Sequence, residues 1–357
     1  MKNISAKYLV GSLFVGLCIL SACSDSDTNS FPAAPVAESS SSISQLPVSN
    51  PENPTSSSDI VVSSSSSVLP DVPPVPESSS AAVVPASSAE VAPGTFTFVN
   101  TPGTLALTPD ADGFYDMGDV YKAVPTTSKI AFVIRHSKRE KNNLGTESSL
   151  TPIGIQMART LGTKLASEES FYYSSTNFLR TRATCEYIAA GRGKTTAPEV
   201  VTWDGINGSY FLTVPSDTLD ALVSKRGGNP KYIAMYAYGV DYASYAPSAV
   251  ASVIPAYFYD LFERGNQFLS EVIVANMPTW KRVSILVSHD MLVEPLIAFV
   301  SNRTINLRVY ETPFRWVNYL SGIAVIVDEA GAVTALPVRG DEVGWMIPKD
   351  EVDESVQ

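Results

Sequence analysis

From residue 129 onward, short apolar runs alternate with stretches that have helical spacing. The apolar runs predict five strands, at residues 130–134, 171–174, 284–288, 322–327 and 332–338. Between them we expect three helices, one opening at Thr151-Pro152 and the others covering about 177–190 and 294–301. Strands that alternate with helices favour a parallel sheet. The predicted fold class is therefore α/β, a three-layer sandwich with a mostly parallel sheet flanked by helices.

The alternation of strands and helices stops between about 191 and 280, where we expect a mostly helical insertion over the sheet edge. The segment holds half of the 16 tyrosines: Tyr210, Tyr232, Tyr236, Tyr238, Tyr242, Tyr245, Tyr257 and Tyr259. These side chains could line a substrate pocket. For most of them, however, we favour ordinary packing with the hydroxyl at the surface.

The N-terminal 22 residues have the pattern of an export signal. Lys2 and Lys7 precede a short apolar run, 8–20, which is brief for a membrane span of about 20 residues. The run ends in Leu-Ser-Ala-Cys, with Cys23 last, which resembles the lipobox of bacterial lipoproteins. We therefore expect Cys23 to carry a lipid that anchors the protein in the cell envelope, on the outer-membrane, periplasmic or surface side.

Residues 23–95 have the composition of a disordered linker. Serine and proline dominate, and residues 24–95 contain no Lys or Arg and a single aromatic, Phe31. Such a segment cannot bury enough apolar surface to offset its ordering entropy. Most of the formal charge of −11 lies here, so the remaining domain, 96–357, is only mildly acidic. No broad basic face is expected, which argues against a nucleic-acid partner.

The protein has two histidines, and each directly follows a predicted strand. His136 comes after an apolar run and Arg135, and His289 comes after another run and before Asp290. Ligands of an open parallel sheet bind beyond the carboxyl ends of its strands. Both imidazoles are therefore expected at a functional site.

Arginines surround the first histidine and follow the second predicted strand. Arg135 and Arg139 flank His136, and Arg180 begins the next predicted helix. Guanidinium groups match the oxygens of a phosphoryl group and keep their charge. Nearby cations also lower the pKa of an imidazole, which keeps it neutral and nucleophilic. The set favours phosphoryl transfer to His136, although each arginine taken singly could be a solvated surface charge.

These motifs resemble the histidine phosphatase superfamily, which includes acid phosphatases and cofactor-dependent phosphoglycerate mutases. Arg135-His136-Ser137 stands for its Arg-His-Gly hallmark, and the segment 150–158 resembles its L-T-x-x-G-x-x-Q-A stretch. Arg180, four residues before a Thr, and the late strand that ends in His289 complete the resemblance over about 129–330. The form R-H-x-x-R and the His-Asp pair are typical of the acid-phosphatase and phytase branch.

The resemblance implies a role for each of these residues. His136 accepts the phosphoryl group, and Arg135, Arg139, Arg180 and His289 bind it. Asp290 is expected to be the general acid that protonates the leaving oxygen, which implies an acidic pH optimum. Three other carboxyl groups remain alternatives for this acid, namely Glu140, Asp204 and Glu294.

We therefore expect a phosphomonoester hydrolase that needs no metal and no cofactor and acts on a small phosphorylated substrate. An alternative is a catalytically degenerate module that binds phosphate ligands, because Ser137 replaces the glycine of the hallmark. A phosphomutase is disfavoured by the export signal. Cys185 has no second cysteine within the domain with which to form a disulfide, and we expect it in the core.

Overall fold

A computed structural model describes residues 96–140, 145–341, 344 and 346. The predicted signal peptide (1–22), the lipidation site Cys23 and the linker (23–95) lie outside the described residues and stay predictions. Within the described ranges, no helix has both the length and the apolar character needed to cross a membrane.

The strands of the described chain form one seven-stranded sheet with the order β1-β7-β6-β2-β5-β3-β4. They are β1 (Tyr115–Asp116), β2 (Lys129–Arg135), β3 (Phe171–Ser175), β4 (Val200–Thr202), β5 (Val283–Ser288), β6 (Ser321–Val327) and β7 (Val333–Arg339). β6 runs antiparallel to its neighbours β2 and β7, whereas the other pairings are parallel. The predicted mostly parallel sheet is confirmed.

Helices cover both faces of this sheet, so the predicted three-layer α/β architecture is also confirmed. They are α1 (Met117–Ala123), α2 (Pro152–Lys164), α3 (Leu179–Gly191), α4 (Ser216–Val223), α5 (Gly228–Tyr238), α6 (Ser248–Ala251), α7 (Leu261–Gln267) and α8 (Asp290–Val300). α2 begins as the sequence predicts, because the Thr151 hydroxyl accepts a hydrogen bond from the Gly154 amide and Pro152 occupies the first turn.

Two hydrophobic cores lie on opposite faces of the sheet, and the alternation of β2 divides its side chains between them. Ala131 and Val133 pack with α5 and α8, whereas Ile130, Phe132 and Ile134 pack on the other face with α2 and α3. Cys185 of α3 is fully buried in the second core, as expected. A strand buried on both faces explains the continuous apolar run in the sequence.

The segment 191–280 is mostly helical, with helices α4–α7 and a π-helical stretch at Phe268–Val274, but it also supplies the edge strand β4. The expectation of surface hydroxyls is wrong for three of its tyrosines. Tyr232, Tyr236 and Tyr238 are buried, because α5 packs against α8 within the first core.

The structure corrects one predicted boundary near the second histidine. α8 begins at Asp290, directly after β5, instead of at about 294. Pro295 lies inside this helix. As a result, Asp290 and Glu294 lie one turn apart on the same helix. The elements β1 and α1 were not predicted, since they precede the regular alternation.

Candidate active site

The register of the sheet brings the two histidines together. Arg135, the last residue of β2, pairs with Ser288, the last residue of the parallel strand β5. The residues that follow each strand are therefore neighbours, and the His136 amide donates to the Ser288 carbonyl at 2.9 Å. The ring centroids of His136 and His289 lie 5.5 Å apart, and both side chains are buried.

Hydrogen bonds fix which nitrogen of His136 carries the proton. Nδ1 lies 2.7 Å from the carbonyl oxygen of Ser137, which can only accept, so Nδ1 is the protonated nitrogen. Nε2 therefore carries the lone pair, and it accepts from Nε of Arg180 at 3.3 Å. Burial lowers the pKa of His136 well below its ordinary value, and the neighbouring His289, Arg135 and Arg180 lower it further. The imidazole is neutral, with its lone pair directed at a guanidinium group.

Arg180 of α3 joins the two imidazoles. Besides its contact with His136, it donates from Nη2 to Nδ1 of His289 at 3.4 Å and from Nη1 to the Gly145 carbonyl at 3.0 Å. Because an arginine only donates, Nδ1 of His289 is an acceptor, and its Nε2 donates to the Thr176 hydroxyl at 3.0 Å. Thr176 follows β3, so three adjacent strand ends meet here.

Two of these buried groups have strongly shifted pKa values. Burial, and then the charge of Arg180, lower the pKa of His289 to about 3, so this imidazole is neutral near pH 7. Burial and the charge of Arg139 lower the pKa of Arg180 to about 10, so the guanidinium keeps its proton near pH 7.

Arg135 forms the second cationic centre of the site. Its Nη2 lies 3.0 Å from Oδ2 of Asp290, and its Nη1 donates to the Val317 carbonyl at 2.7 Å. The guanidinium lies over the Tyr319 ring at 4.3 Å. Arg135 is 1% exposed, so these partners stabilise its charge in place of water.

Asp290 is a carboxylate in this arrangement. Its Oδ2 also accepts from the Trp316 indole nitrogen at 3.2 Å. Burial alone raises the pKa of Asp290, but the charge of Arg135 and the Trp316 hydrogen bond outweigh it and lower the pKa below its usual value. An ionised Asp290 can donate no proton, so a general-acid role requires that it first gain one.

Ser137 is accommodated without crowding the cluster. Its hydroxyl donates to the Gly154 carbonyl at 2.6 Å, and its amide donates to the Thr184 hydroxyl at 3.0 Å. The loop after His136 lies so close to α2 that a Cβ at Gly154 would stand 2.0 Å from the Lys138 carbonyl oxygen. Ser137 therefore ties this loop to the helix.

Arg139 is half-buried at the edge of the cluster, and its charge acts on Arg180, His289 and Asp290. With neutral imidazoles, three guanidinium groups and one carboxylate give the site a formal charge of +2. This charge complements a phosphomonoester dianion. The neighbouring Arg182 instead donates to the Thr202 hydroxyl on the exposed side of α3.

The three alternative acids lie in different surroundings. Glu140 and Asp204 are exposed, whereas Glu294 is fully buried in α8. Among the described residues, no group of three or more His, Cys, Asp or Glu side chains could hold a metal ion.

No sequence motif predicted that Trp316 and Tyr319 lie at the site. They lie in the segment 301–320, which has no regular helix or strand, and the antiparallel course of β6 brings that segment to the carboxyl end of β2. The Tyr319 ring centroid is 5.8 Å from that of His136. The only available signal was an aromatic-rich segment directly before an apolar run. Thr176 lies at a predicted strand end, the same signal that marked the histidines.

Residues 131–225 match the family model described as "Histidine phosphatase superfamily (branch 1)". This range runs from within β2 to just beyond α4, and it includes Arg135, His136, Arg139 and Arg180. The resemblance predicted from the sequence is thus supported for this superfamily. The match does not support the narrower assignment to the acid-phosphatase and phytase branch. No curated protein sequence matches the chain significantly.

Several solved structures are similar to this chain at low identity. Phosphoglycerate mutase from Bacillus anthracis str. Sterne is 18% identical, with a TM-score of 0.38, over 60% of this chain and 95% of that one. A mutant phosphoserine phosphatase from Entamoeba histolytica in complex with phosphoserine is 19% identical, with a TM-score of 0.36, over 58% and 94%. Mycobacterial glucosyl-3-phosphoglycerate phosphatase is 15% identical, with a TM-score of 0.34, over 60% and 100%.

Proposed function

We propose that this protein, whose residues 131–225 carry the sequence pattern of the histidine phosphatase superfamily, hydrolyses phosphomonoesters through a phosphohistidine on His136. One observation carries the proposal. The unprotonated Nε2 of His136 lies within a buried cluster whose formal charge of +2 matches a phosphomonoester dianion.

The first step is attack of Nε2 on phosphorus. The Nδ1–H bond to the Ser137 carbonyl orients the ring and stabilises the positive charge that the imidazole gains. Arg180 now donates to Nε2, so an incoming phosphate must take over this donor before Nε2 can attack. The substrate thereby frees the nucleophile as it binds.

Arg135, Arg139, Arg180 and His289 are the phosphate ligands in this mechanism. The guanidinium groups lie in a largely buried site, where fixed charges stabilise a developing negative charge more strongly than in water. Phosphate competes with Asp290 for Arg135, so substrate binding weakens the ion pair that keeps Asp290 ionised. A nearby dianion also raises the pKa of a carboxyl group.

Asp290 then acts as the general acid. The P–O bond breaks while the N–P bond forms, and the leaving oxygen takes the Asp290 proton. In the second step water attacks phosphorus, the N–P bond breaks, and the water proton goes to Asp290. Inorganic phosphate and the free alcohol are the products, and neither step needs a metal or a cofactor.

Replacement of His136 tests this function. We expect His136→Ala to lose essentially all turnover of p-nitrophenyl phosphate, because no other group supplies the nucleophile. Rapid acid-free quenching of the wild type with ³²P-labelled substrate should trap an acid-labile phosphoenzyme that His136→Ala lacks. A chelator should leave the wild-type rate unchanged. Full activity in His136→Ala would contradict the mechanism.

The degenerate binding module is the other outcome of the same experiment. It predicts that the wild type binds phosphate, measured by calorimetry, without releasing product from any of a panel of phosphomonoesters. Ser137 motivated this alternative. In the structure its hydroxyl is turned to the Gly154 carbonyl, so the residue gives no specific reason to expect an inactive site.

The location in the cell envelope is proposed from the sequence alone. Cys23→Ser should release the protein from the membrane fraction if Cys23 carries the lipid. Metabolic labelling with a fatty-acid analogue should mark the wild type and not the variant. Labelled Cys23→Ser protein would contradict lipidation at this residue.

A further inference from the structure

α8 carries a second carboxyl group directly behind the site. Glu294 lies four residues after Asp290, so the two side chains are neighbours on one helix face, with Cβ atoms about 5–6 Å apart. Glu294 is 0% exposed, and neither of its carboxyl oxygens has a hydrogen-bond partner among the described residues. A buried polar atom without a partner is rare in folded proteins and calls for an explanation.

Two hydroxyls without hydrogen-bond partners in the described part of the chain lie near this carboxyl group. Tyr236 on α5 and Tyr310 in the segment 301–320 have buried hydroxyls with no partner within the described chain. Both hydroxyls lie within reach of the Glu294 charge, as does the hydroxyl of Tyr238. α5 and α8 pack against each other.

The two carboxyl groups of α8 have opposite protonation states. Burial, and then the negative charge of Asp290, raise the pKa of Glu294 well above its ordinary value. Arg135 keeps Asp290 ionised. The groups that face Glu294 from the neighbouring elements are the tyrosine hydroxyls. The charge of Arg308 lowers the pKa of Tyr238 and Tyr310, whereas the pKa of Glu294 is set by burial and Asp290. Glu294 therefore stores a proton one helical turn from the group that needs one.

We propose that Glu294 supplies the proton that Asp290 delivers to the leaving oxygen, with water beside Tyr236 and Tyr310 carrying it between the two carboxyl groups. Glu294 acts through Asp290 and is a positioning residue for the proton, not a catalytic residue. This inference rests on the proposed phosphohydrolase function.

The proton balance closes over one turnover. When substrate occupies Arg135, the Glu294 proton passes through water to Asp290, and Glu294 becomes a carboxylate. Asp290 gives this proton to the leaving oxygen as the P–O bond breaks. During hydrolysis of the phosphohistidine, the attacking water loses a proton to Asp290, which returns it to Glu294. The cycle consumes one water and needs no other reactant.

The dependence on the leaving group tests this proposal. An alkyl alcohol needs a proton as it leaves, whereas p-nitrophenolate leaves without one. For Glu294→Gln we expect kcat on an alkyl phosphate to fall about 10-fold to 100-fold, a part of the 10²–10⁴-fold typical of general acid catalysis. The rate on p-nitrophenyl phosphate should stay within about twofold. Asp290→Asn should slow both substrates, because Asp290 also accepts the water proton in the second step, with the larger loss on the alkyl phosphate.

A matched control is available on the other face of the sheet. Glu186 of α3 is half-buried, and burial raises its pKa, but it belongs to the helix opposite α8. Glu186→Gln should leave the rates on both substrates unchanged.

The pH profile gives a second readout that a purely structural role would not move. On the alkyl substrate, the basic limb of the kcat profile should shift to lower pH in Glu294→Asp, where the carboxyl group is kept but displaced. If Glu294→Gln does not fold, Glu294→Asp tests the proposal in its place. Equal losses on both substrates, or an unchanged profile, would overturn the proposal for Glu294. A wild type that hydrolyses neither substrate would instead refute the proposed function.

Discussion

The two sides of the candidate site are equally buried but differ in how their polar groups are satisfied. At the strand ends, the Thr176 hydroxyl and His289 hydrogen-bond to each other, His136 bonds to the Ser137 carbonyl, and both imidazoles contact Arg180. Between α5 and α8, the Glu294 carboxyl group and the Tyr236 hydroxyl have no hydrogen-bond partner within the described residues. The first side is organised in advance to receive an anion. The second side contains the carboxyl group, Glu294, that we propose as the proton store.

The largest expected effect comes from breaking the organised side. Arg180→Ala removes the guanidinium that contacts both imidazoles, and we expect kcat to fall about 10²–10³-fold, as for loss of one oxyanion donor. Arg182→Ala is the matched control, because Arg182 lies on the same helix and points to Thr202. Steady-state kinetics on p-nitrophenyl phosphate would measure both. Similar losses of kcat in the two variants would show that any arginine substitution on α3 lowers activity, whether or not the side chain contacts the imidazoles.

A smaller effect is expected in the pH dependence of stability. The pKa of His289 is about 3 in the folded protein and near 6.5 in an unfolded chain, so the unfolded chain binds more protons between these values. Stability should therefore fall as the pH drops below about 6.5. Each pH unit corresponds to about 1.4 kcal/mol for one proton, so His289 alone accounts for about 2 kcal/mol between pH 7 and 5.

Denaturant unfolding at several pH values would measure this slope. His289→Gln should lose less stability than the wild type between pH 7 and 5. Saturating phosphate should protect the wild type more than the variant. Parallel curves for the two proteins would mean that His289 is not buried in its neutral form.

Two tyrosines of α5 allow a satisfied buried hydroxyl to be compared with an unsatisfied one by stability alone. The Tyr238 hydroxyl accepts from the Leu307 amide at 2.9 Å and donates to the Ile305 carbonyl, so Tyr238→Phe leaves two buried groups unpaired. We expect a loss of about 1–3 kcal/mol. Tyr236→Phe removes a hydroxyl without a partner among the described residues and should change the free energy of unfolding little. Chemical denaturation of both variants gives the comparison, and a larger loss for Tyr236→Phe would reverse it.

The smallest effect concerns the replaced hallmark glycine. Ser137→Ala removes the hydroxyl bond to the Gly154 carbonyl, which should cost about 1 kcal/mol of stability. Because this hydroxyl points to α2, kcat should change by less than about threefold. A large gain in kcat would instead show that Ser137 restrains an active site.

Sequence patterns predicted the parts of the site that follow strands. Apolar runs located the ends of β2 and β5, and a parallel sheet brings such ends together, so His136 and His289 could be placed in advance. The contribution of Tyr319 and Trp316 could not be predicted, because it depends on the antiparallel register of β6. The buried state of Tyr236 depends on helix packing between α5 and α8, which carries no local signal. The ionised state of Asp290 could not be predicted either, because it depends on the contact with Arg135 that the fold creates.

The strand order has a consequence for synthesis of the protein. β5 lies between β2 and β3, although it follows both in the chain by more than a hundred residues. A nascent chain that has not yet made residue 288 lacks the strand that joins His136 to Thr176, and it lacks His289 altogether. His136 and His289 can therefore become neighbours only after residue 289 has been made, when most of the polypeptide has been synthesised.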